Sequence, residues 1–353
     1  MVHNKERYLV LDVLRFILAL FVVIYHLFFR GGVTGDRVVE SFSLIEILSK
    51  YGFLGVQGFF IISGFVISLS AKNKTPYEFC ISRALRLYPA FWICCIFTYI
   101  ILAIDRPFFW DITFFEFLRN LTMMEGFFQR KYVDGVYWTL TVELLFYFYI
   151  FLMIVFKVFN DRMLFGLSLL WSIMSCATYV LDMQNSFLAK VLILNYSSYF
   201  CLGVLLYIYK DKKFDVRSFL AIFLAFGACY LETLNKAREL SERFGYFYNH
   251  WVMLAFVFSV FLVIRFFSRR EIDLPAAKYL AFLGASTYPL YLLHQNIGYV
   301  VINNFATYSP PETIAVFVLL LMVVTALVVS MFLEPRARSG MKVVVTKIEK
   351  IIF

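Results

Sequence analysis

The chain has 353 residues, of which 62% are hydrophobic, 20% aromatic and only 16% charged, a composition that excludes an ordinary soluble domain and makes a bilayer its solvent. The formal net charge of +9 would suggest nucleic acid in a soluble protein, but most of the basic excess sits in short connections between apolar runs, so membrane orientation explains it and no nucleic-acid partner is implied. Six cysteines fall mainly within those runs and show no CxxC spacing, which gives neither a disulfide framework nor a metal site.

Apolar stretches long enough to cross roughly 30 Å of hydrocarbon recur at about 8–28, 52–71, 87–104, 138–157, 164–181, 188–209, 218–232, 248–267, 279–301 and 313–333. Barrel strands would alternate over about ten residues, whereas these runs are continuous and roughly twice that length. The expected fold is therefore all-α, a polytopic integral membrane protein with about ten transmembrane helices. Lys5 and Arg7 precede the first run as in a secretory signal, but no small-residue cleavage site follows, so a retained helix is expected. With Lys157 and Lys190, at the borders of their runs, counted in the adjoining connections, Lys and Arg number 20 in the N-terminus, the even connections and the C-terminus against 11 in the odd connections, which places both termini in the cytoplasm. One membrane domain is expected over 1–335, followed by a basic amphipathic tail, 336–353, laid on the inner leaflet.

In chain order, the first run reads LDVLRFILALFVVIYH and carries Asp12, Arg15 and His26. Eleven helical steps of about 100° bring Arg15 and His26 onto one stripe, roughly 16 Å apart along the axis. Asp12 and Arg15, one turn apart, also suit a local ion pair. The second run, GFLGVQGFFIISGFVIS, holds Gly52, Gly55, Gly58, Ser63 and Gly64; small residues there permit close helix approach or leave room for a narrow ligand arm. The next connection ends ISRALRLYP, and Arg83 and Arg86 would project together from a helix. Two guanidiniums side by side suit phosphates, and they equally suit positive-inside orientation. The longest connection, 105–137, contains Phe108, Phe109, Trp110, Phe114, Phe115, Phe127 and Phe128, an aromatic density expected of a segment at the membrane interface, re-entrant or lying flat.

The fourth run begins within DGVYWTLTVELLFY, which brings Glu143 to the outer depth that His26 also reaches. A carboxylate near an imidazole can fix its tautomer and raise its basicity. The ninth run contains STYPLYLLH, whose Thr287, Tyr291 and His294 share a helix face and whose Pro289 can bend it. Tyrosines at such depth also serve as interface anchors. Ionisable groups within spans usually face a cavity or one another, so His26, Glu143 and His294 are the residues to explain.

Taken together these motifs resemble the membrane-bound acyltransferase 3 family. Its Arg-x10-His is Arg15 and His26, its Phe-Phe-x-x-Ser-Gly-Phe is Phe59 to Phe65, and its Arg-x-x-Arg is Arg83 and Arg86. Its Trp-Ser-Leu-x-x-Glu is Trp138 to Glu143 with Thr139 in the serine position, and its Ser-Tyr-x-x-Tyr-Leu-x-His is Thr287 to His294 with Thr287 for serine. The resemblance implies transfer of an acyl group, acetyl by default, from cytoplasmic acyl-CoA to a hydroxyl of a cell-envelope or exported glycan, by an enzyme of the inner (plasma) membrane without a tightly bound cofactor. It implies that Arg15, Arg83 and Arg86 hold the anionic part of CoA while the pantetheine arm carries the thioester towards His26. His26 then acts as a general base supported by Glu143, or it or a nearby hydroxyl takes the acyl group transiently. Ser63, Trp138, Tyr288, Tyr291 and His294 lie in the same motifs and are further site candidates. Some relatives carry an extracytoplasmic esterase-like domain; none is visible in this sequence, so the membrane part is expected to deliver the acyl group itself.

A proton-coupled transporter or flippase would also carry His and Glu at depth, but has no particular use for a cytoplasmic arginine pair. A lipid-linked glycosyltransferase would place catalytic acids in an early outer loop, where this chain has only the scattered Asp36, Glu40 and Glu46.

Overall fold

The computed structural model describes residues 9–34, 49–105, 111–128, 131–268 and 277–352. Asp36, Glu40, Glu46, Phe108, Phe109 and Trp110 lie outside these residues. Every regular element among the described residues is helical, as continuous apolar runs without strand alternation require.

Helix α1, Leu9–Ile24, passes into a π-helical turn, Tyr25–Arg30, and ends at Val33. Then come α2, Gly55–Ala71, and α3, Pro76–Asp105, which extends the third apolar run backwards so that Arg83 and Arg86 are helical. The described part of the long connection forms α4, Phe114–Asn120, started by a capping box of Thr113 and Glu116. Beyond it lie α5, Trp138–Val155; α6, Asp161–Val180; α7, Phe187–Val191; α8, Ser197–Ile208; α9, Val216–Phe244; and α10, His250–Phe267. The chain closes with α11, Ala277–Leu293; α12, Asn296–Phe305; α13, Pro311–Val328; and α14, Glu334–Ile352. Asn160, Ser186, Asp215 and Asn249 cap the helices that follow them through their side chains.

Eight helices among the described residues are long and apolar enough to span a membrane. The sixth and ninth expected spans differ: each is broken into two shorter helices, α7 with α8 and α11 with α12. In the first case α8 has only 12 residues, about 18 Å, too short to cross the hydrocarbon. Its apolar side chains point in every direction and are nearly all buried by protein, which in sequence looks the same as a lipid-facing span. In the second, Pro289 removes one ladder hydrogen bond inside α11 and the helix ends four residues later.

The chain divides into two compact units, each assembled from separated segments. The first, built from Leu54–Phe79 and Val142–Leu274 with the chain start, is organised around α8, which packs on α2, α6 and α9. Here two glycines let backbones touch: a Cβ on Gly64 would stand 2.2 Å from the Phe200 carbonyl oxygen, and one on Gly203 2.1 Å from that of Ile61. The close-approach reading of these small residues is thus the one realised at Gly64. Phe60 and Phe146 stack on Phe200 at 4.8 and 4.3 Å between ring centroids, on either side of the contact.

The second unit comprises Asp12–Phe53, Cys80–Thr141 and Pro275–Phe353. In it α13 packs against α11, α12 and the π-helical turn of the first helix, and α11 also meets the short turn Gly135–Tyr137. The expected tail is helical and continues α13 through a second π-helical turn, Val329–Leu333. Pro335 sits just after that turn; a proline lacks an N–H and crowds the carbonyl four residues back, and a wider turn makes room.

Gly64→Ala and Gly203→Ala should each destabilise the fold by about 1–3 kcal/mol, because the added methyl meets backbone that has no rotamer to escape to. Thermal unfolding in detergent checks this, with Gly166→Ala, where a Cβ meets nothing within 4 Å, as the control that should stay near wild type.

Candidate active site

His26 lies within the π-helical turn Tyr25–Arg30, a winding that is rare and concentrated at functional sites. It is 7% exposed, and His294, at the broken end of α11, is 0% exposed. The Nε2 atom of His294 stands 3.1 Å from Nδ1 of His26. Two histidines separated by most of the sequence thus form one pair.

Backbone carbonyls decide how the pair is protonated. Nδ1 of His294 lies 2.8 Å from the Tyr291 oxygen and 3.2 Å from that of Leu290. Carbonyls only accept, so this nitrogen carries the hydrogen, and the neutral ring is left with a lone pair on Nε2. The same logic applies at His26, whose Nδ1 lies 2.8 Å from the Val22 oxygen. Its N–H is therefore shared between Val22 and the lone pair of His294. The basic nitrogen of His26 is Nε2, and no described residue hydrogen-bonds it.

The helix break that presents His294 is held by the segment preceding α5. Asp134, 0% exposed, accepts the backbone N–H of Val136 at 3.1 Å and that of Asn296 at 3.0 Å. Asn296 returns a bond from Nδ2 to the Val133 oxygen at 2.9 Å, and the Tyr137 hydroxyl donates to the Leu292 oxygen at 3.3 Å. Burial pushes the Asp134 carboxyl up to about 7, against the pull of its two N–H donors and of the Arg30 guanidinium. Arg30 donates from Nη1 to Gln295 Oε1 at 3.2 Å, and no other acceptor bonds it among the described residues.

The remaining sequence candidates fall as follows. Thr139 gives its hydroxyl hydrogen to the Val136 oxygen at 3.0 Å and accepts from the Tyr291 hydroxyl at 2.9 Å. Thr287 donates to Leu283 of its own helix, at 3.2 Å. Tyr288 and Trp138 are half-buried on α11 and α5. Glu143 belongs to the first unit, where its Oε1 accepts from Ser63 at 2.8 Å and from Tyr147 at 2.6 Å. In the second unit His26 Nδ1 meets Val22 and His294, and in the first Glu143 is partnered by Ser63 and Tyr147. Arg15 sits 3.6 Å from Asp12, the local pair its spacing allowed, and Arg86 stands 3.7 Å from Glu334 at the start of α14. Asp134, Arg30, Gln295 and Asn296 were not singled out by their sequence. The signal was a polar run, His-Gln-Asn, closing an apolar one.

A comparison with protein-family models matches residues 8–334 to a family described as an acyltransferase domain, the acyltransferase 3 family. The chain belongs to that family. It is an acyltransferase and a multi-pass membrane protein. No curated protein and no solved structure matches it. The family match spans both units of the acyltransferase, and so includes the histidine pair as well as the Ser63 and Glu143 group.

Thr139→Val in the acyltransferase removes the nearer acceptor of the Tyr291 hydroxyl, leaving the Val136 oxygen at 3.4 Å, and the donor to Val136 in a buried place, at a cost of about 1–3 kcal/mol. Thr139→Ser, which restores the hydroxyl, should recover most of that. Thermal unfolding of the two variants in detergent provides the comparison.

Proposed function

We propose that the acyltransferase moves an acyl group, acetyl by family resemblance, from cytoplasmic acyl-CoA to a hydroxyl of a cell-envelope or exported glycan, with His26 as general base. The observation that carries this reading is the fixed pair: Val22 and His294 hold His26 Nδ1–H, which leaves Nε2 as its basic atom. The acceptor hydroxyl gives its proton to Nε2 as its oxygen attacks the thioester carbonyl. The C–S bond then breaks, and the imidazolium returns the proton to the departing CoA thiolate. While His26 is protonated, its Nδ1–H bond to His294 becomes charge-assisted and strengthens. This gives His294 the supporting part that a carboxylate takes in other base pairs.

Arg30 adds a positive group one helical turn from His26, with donors left to meet the negative charge that grows on the thioester oxygen. Arg15, Arg83 and Arg86 remain the proposed donor-site residues on the cytoplasmic side, in the inner (plasma) membrane with both termini cytoplasmic. Arg86 would exchange its long contact with Glu334 for a CoA phosphate. The tail α14 brings Arg336, Arg338 and Lys342 after that same glutamate.

His26→Ala should lower kcat by at least about 100-fold while leaving the protein in the membrane. Release of CoA thiol from acetyl-CoA in proteoliposomes, supplied with glycans extracted from the source envelope, measures it. Wild-type turnover would remove His26 from the chemistry.

Arg83→Ala with Arg86→Ala should raise KM for acetyl-CoA with little effect on acceptor KM, since the lost contacts are remote from the reacting carbonyl. Lysine should rescue only partly, because it keeps the charge without the planar fork. Normal kinetics would assign both arginines to topology. In a Cys-free background, cysteines at Met124 and at Lys72 or Lys213 test the orientation: an impermeant thiol reagent should label the first from outside and neither of the others.

A further inference from the structure

The pair requires His294 to hold its ring against His26 at a point where the helix stops. Nothing within α11 guarantees that: Pro289 has already removed a ladder bond, and the residues after Leu293 are the orphaned end of one helix and the beginning of another. Asn296 is the first residue of α12, so its N–H has no intrahelical acceptor and needs one from elsewhere. Gln295, the residue before it, makes no side-chain cap. The acceptor comes from Asp134, more than 150 residues earlier in the chain.

Asp134 bonds both ways. Its Oδ1 takes Val136 N–H, the start of its own short turn, and its Oδ2 takes Asn296 N–H. One buried carboxyl group therefore ties the turn before α5 to the break between α11 and α12. The turn and the residues flanking it contribute three further ties: Val133 oxygen to Asn296 Nδ2, Tyr137 hydroxyl to Leu292 oxygen, and Thr139, on α5, to the Tyr291 hydroxyl. Tyr291 is in turn the residue whose carbonyl fixes the His294 tautomer. Gly135 leaves room for the Gln295 side chain, since a Cβ there would lie 2.6 Å from Gln295 Nε2.

We propose that Asp134 is a positioning residue for the transfer reaction, holding the break between α11 and α12 so that His294 Nε2 accepts from His26 Nδ1. The proposal rests on the reading of His26 as the base. Asp134 touches no reacting atom; it acts through His294. A merely structural carboxylate would change stability without singling out one histidine, so the test is a double-mutant cycle on turnover.

Asp134→Asn keeps one acceptor oxygen and turns an amino group onto the other N–H, so one of the two bonds is lost. In the proteoliposome assay with acetyl-CoA and extracted envelope glycans, kcat should fall about 10- to 100-fold, with KM for acetyl-CoA within about threefold of wild type. In a His294→Gln background the same substitution should cost less than about twofold more, because the histidine it positions is already gone. Asn296→Ala, which deletes the side-chain bonds to Val133 and Gln295 and leaves both Asp134 bonds, should show a smaller loss with the same non-additivity. It carries the test if Asp134→Asn does not reach the membrane folded. Full turnover by Asp134→Asn, or losses that multiply with those of His294→Gln, would overturn the proposal. If His26→Ala is inactive in the same assay, that failure belongs to Asp134 alone. If His26→Ala turns over normally, the base reading itself has failed.

Discussion

Two backbone contacts, Val22 oxygen to His26 Nδ1 and Tyr291 oxygen to His294 Nδ1, leave each ring one neutral tautomer. A carbonyl at 2.8 Å admits only a hydrogen on the facing nitrogen. Everything in the proposed chemistry follows from that constraint, since it turns one Nε2 into the acceptor of the pair and the other into the base. The π-helical turn around His26, the break after Leu293 and the buried carboxyl of Asp134 are the means by which the chain brings the two rings together. At the break after Leu293, helix-end backbone groups find partners outside their own helix, Asn296 N–H on Asp134 and the Leu292 oxygen on the Tyr137 hydroxyl.

Much of the fold was readable from apolar run length, because a chain in hydrocarbon must satisfy its backbone within helices. The misreadings arose where burial in protein and burial in lipid give the same composition. Helix α8 reads as a span because its surroundings are apolar on all sides, and the backbone contact at Gly64 and Gly203 shows that those surroundings are other helices. The stop after Leu293 was signalled by Pro289, yet hydropathy alone carried the run to residue 301.

The site was legible in the residues that break the apolar pattern and obscure in those that flank it. His26 and His294 stand out because histidine in a span is costly. Asp134, Gln295 and Asn296 border spans, where polar residues are ordinary, and only their pairing across more than 150 positions gives them meaning. Glu143 stands out in the sequence as an intramembrane carboxylate, and the structure joins it to Ser63 and Tyr147, so one position from each of two family motifs shares a polar group with Tyr147 within the first unit. Arg83 and Arg86 lie three residues apart on one helix, and Arg86 stands 3.7 Å from Glu334.

The central claim is a statement about where two protons sit, and the chain holds only four histidines. Nitrogen-15 NMR of ring-labelled histidine in reconstituted membranes, assigned with His26→Gln and His294→Gln, reads those positions directly. The account requires both rings neutral with hydrogen on Nδ1 and a bare Nε2, and a His26 signal that shifts when His294 is replaced. A His26 ring carrying its hydrogen on Nε2, or one indifferent to the loss of His294, would contradict it.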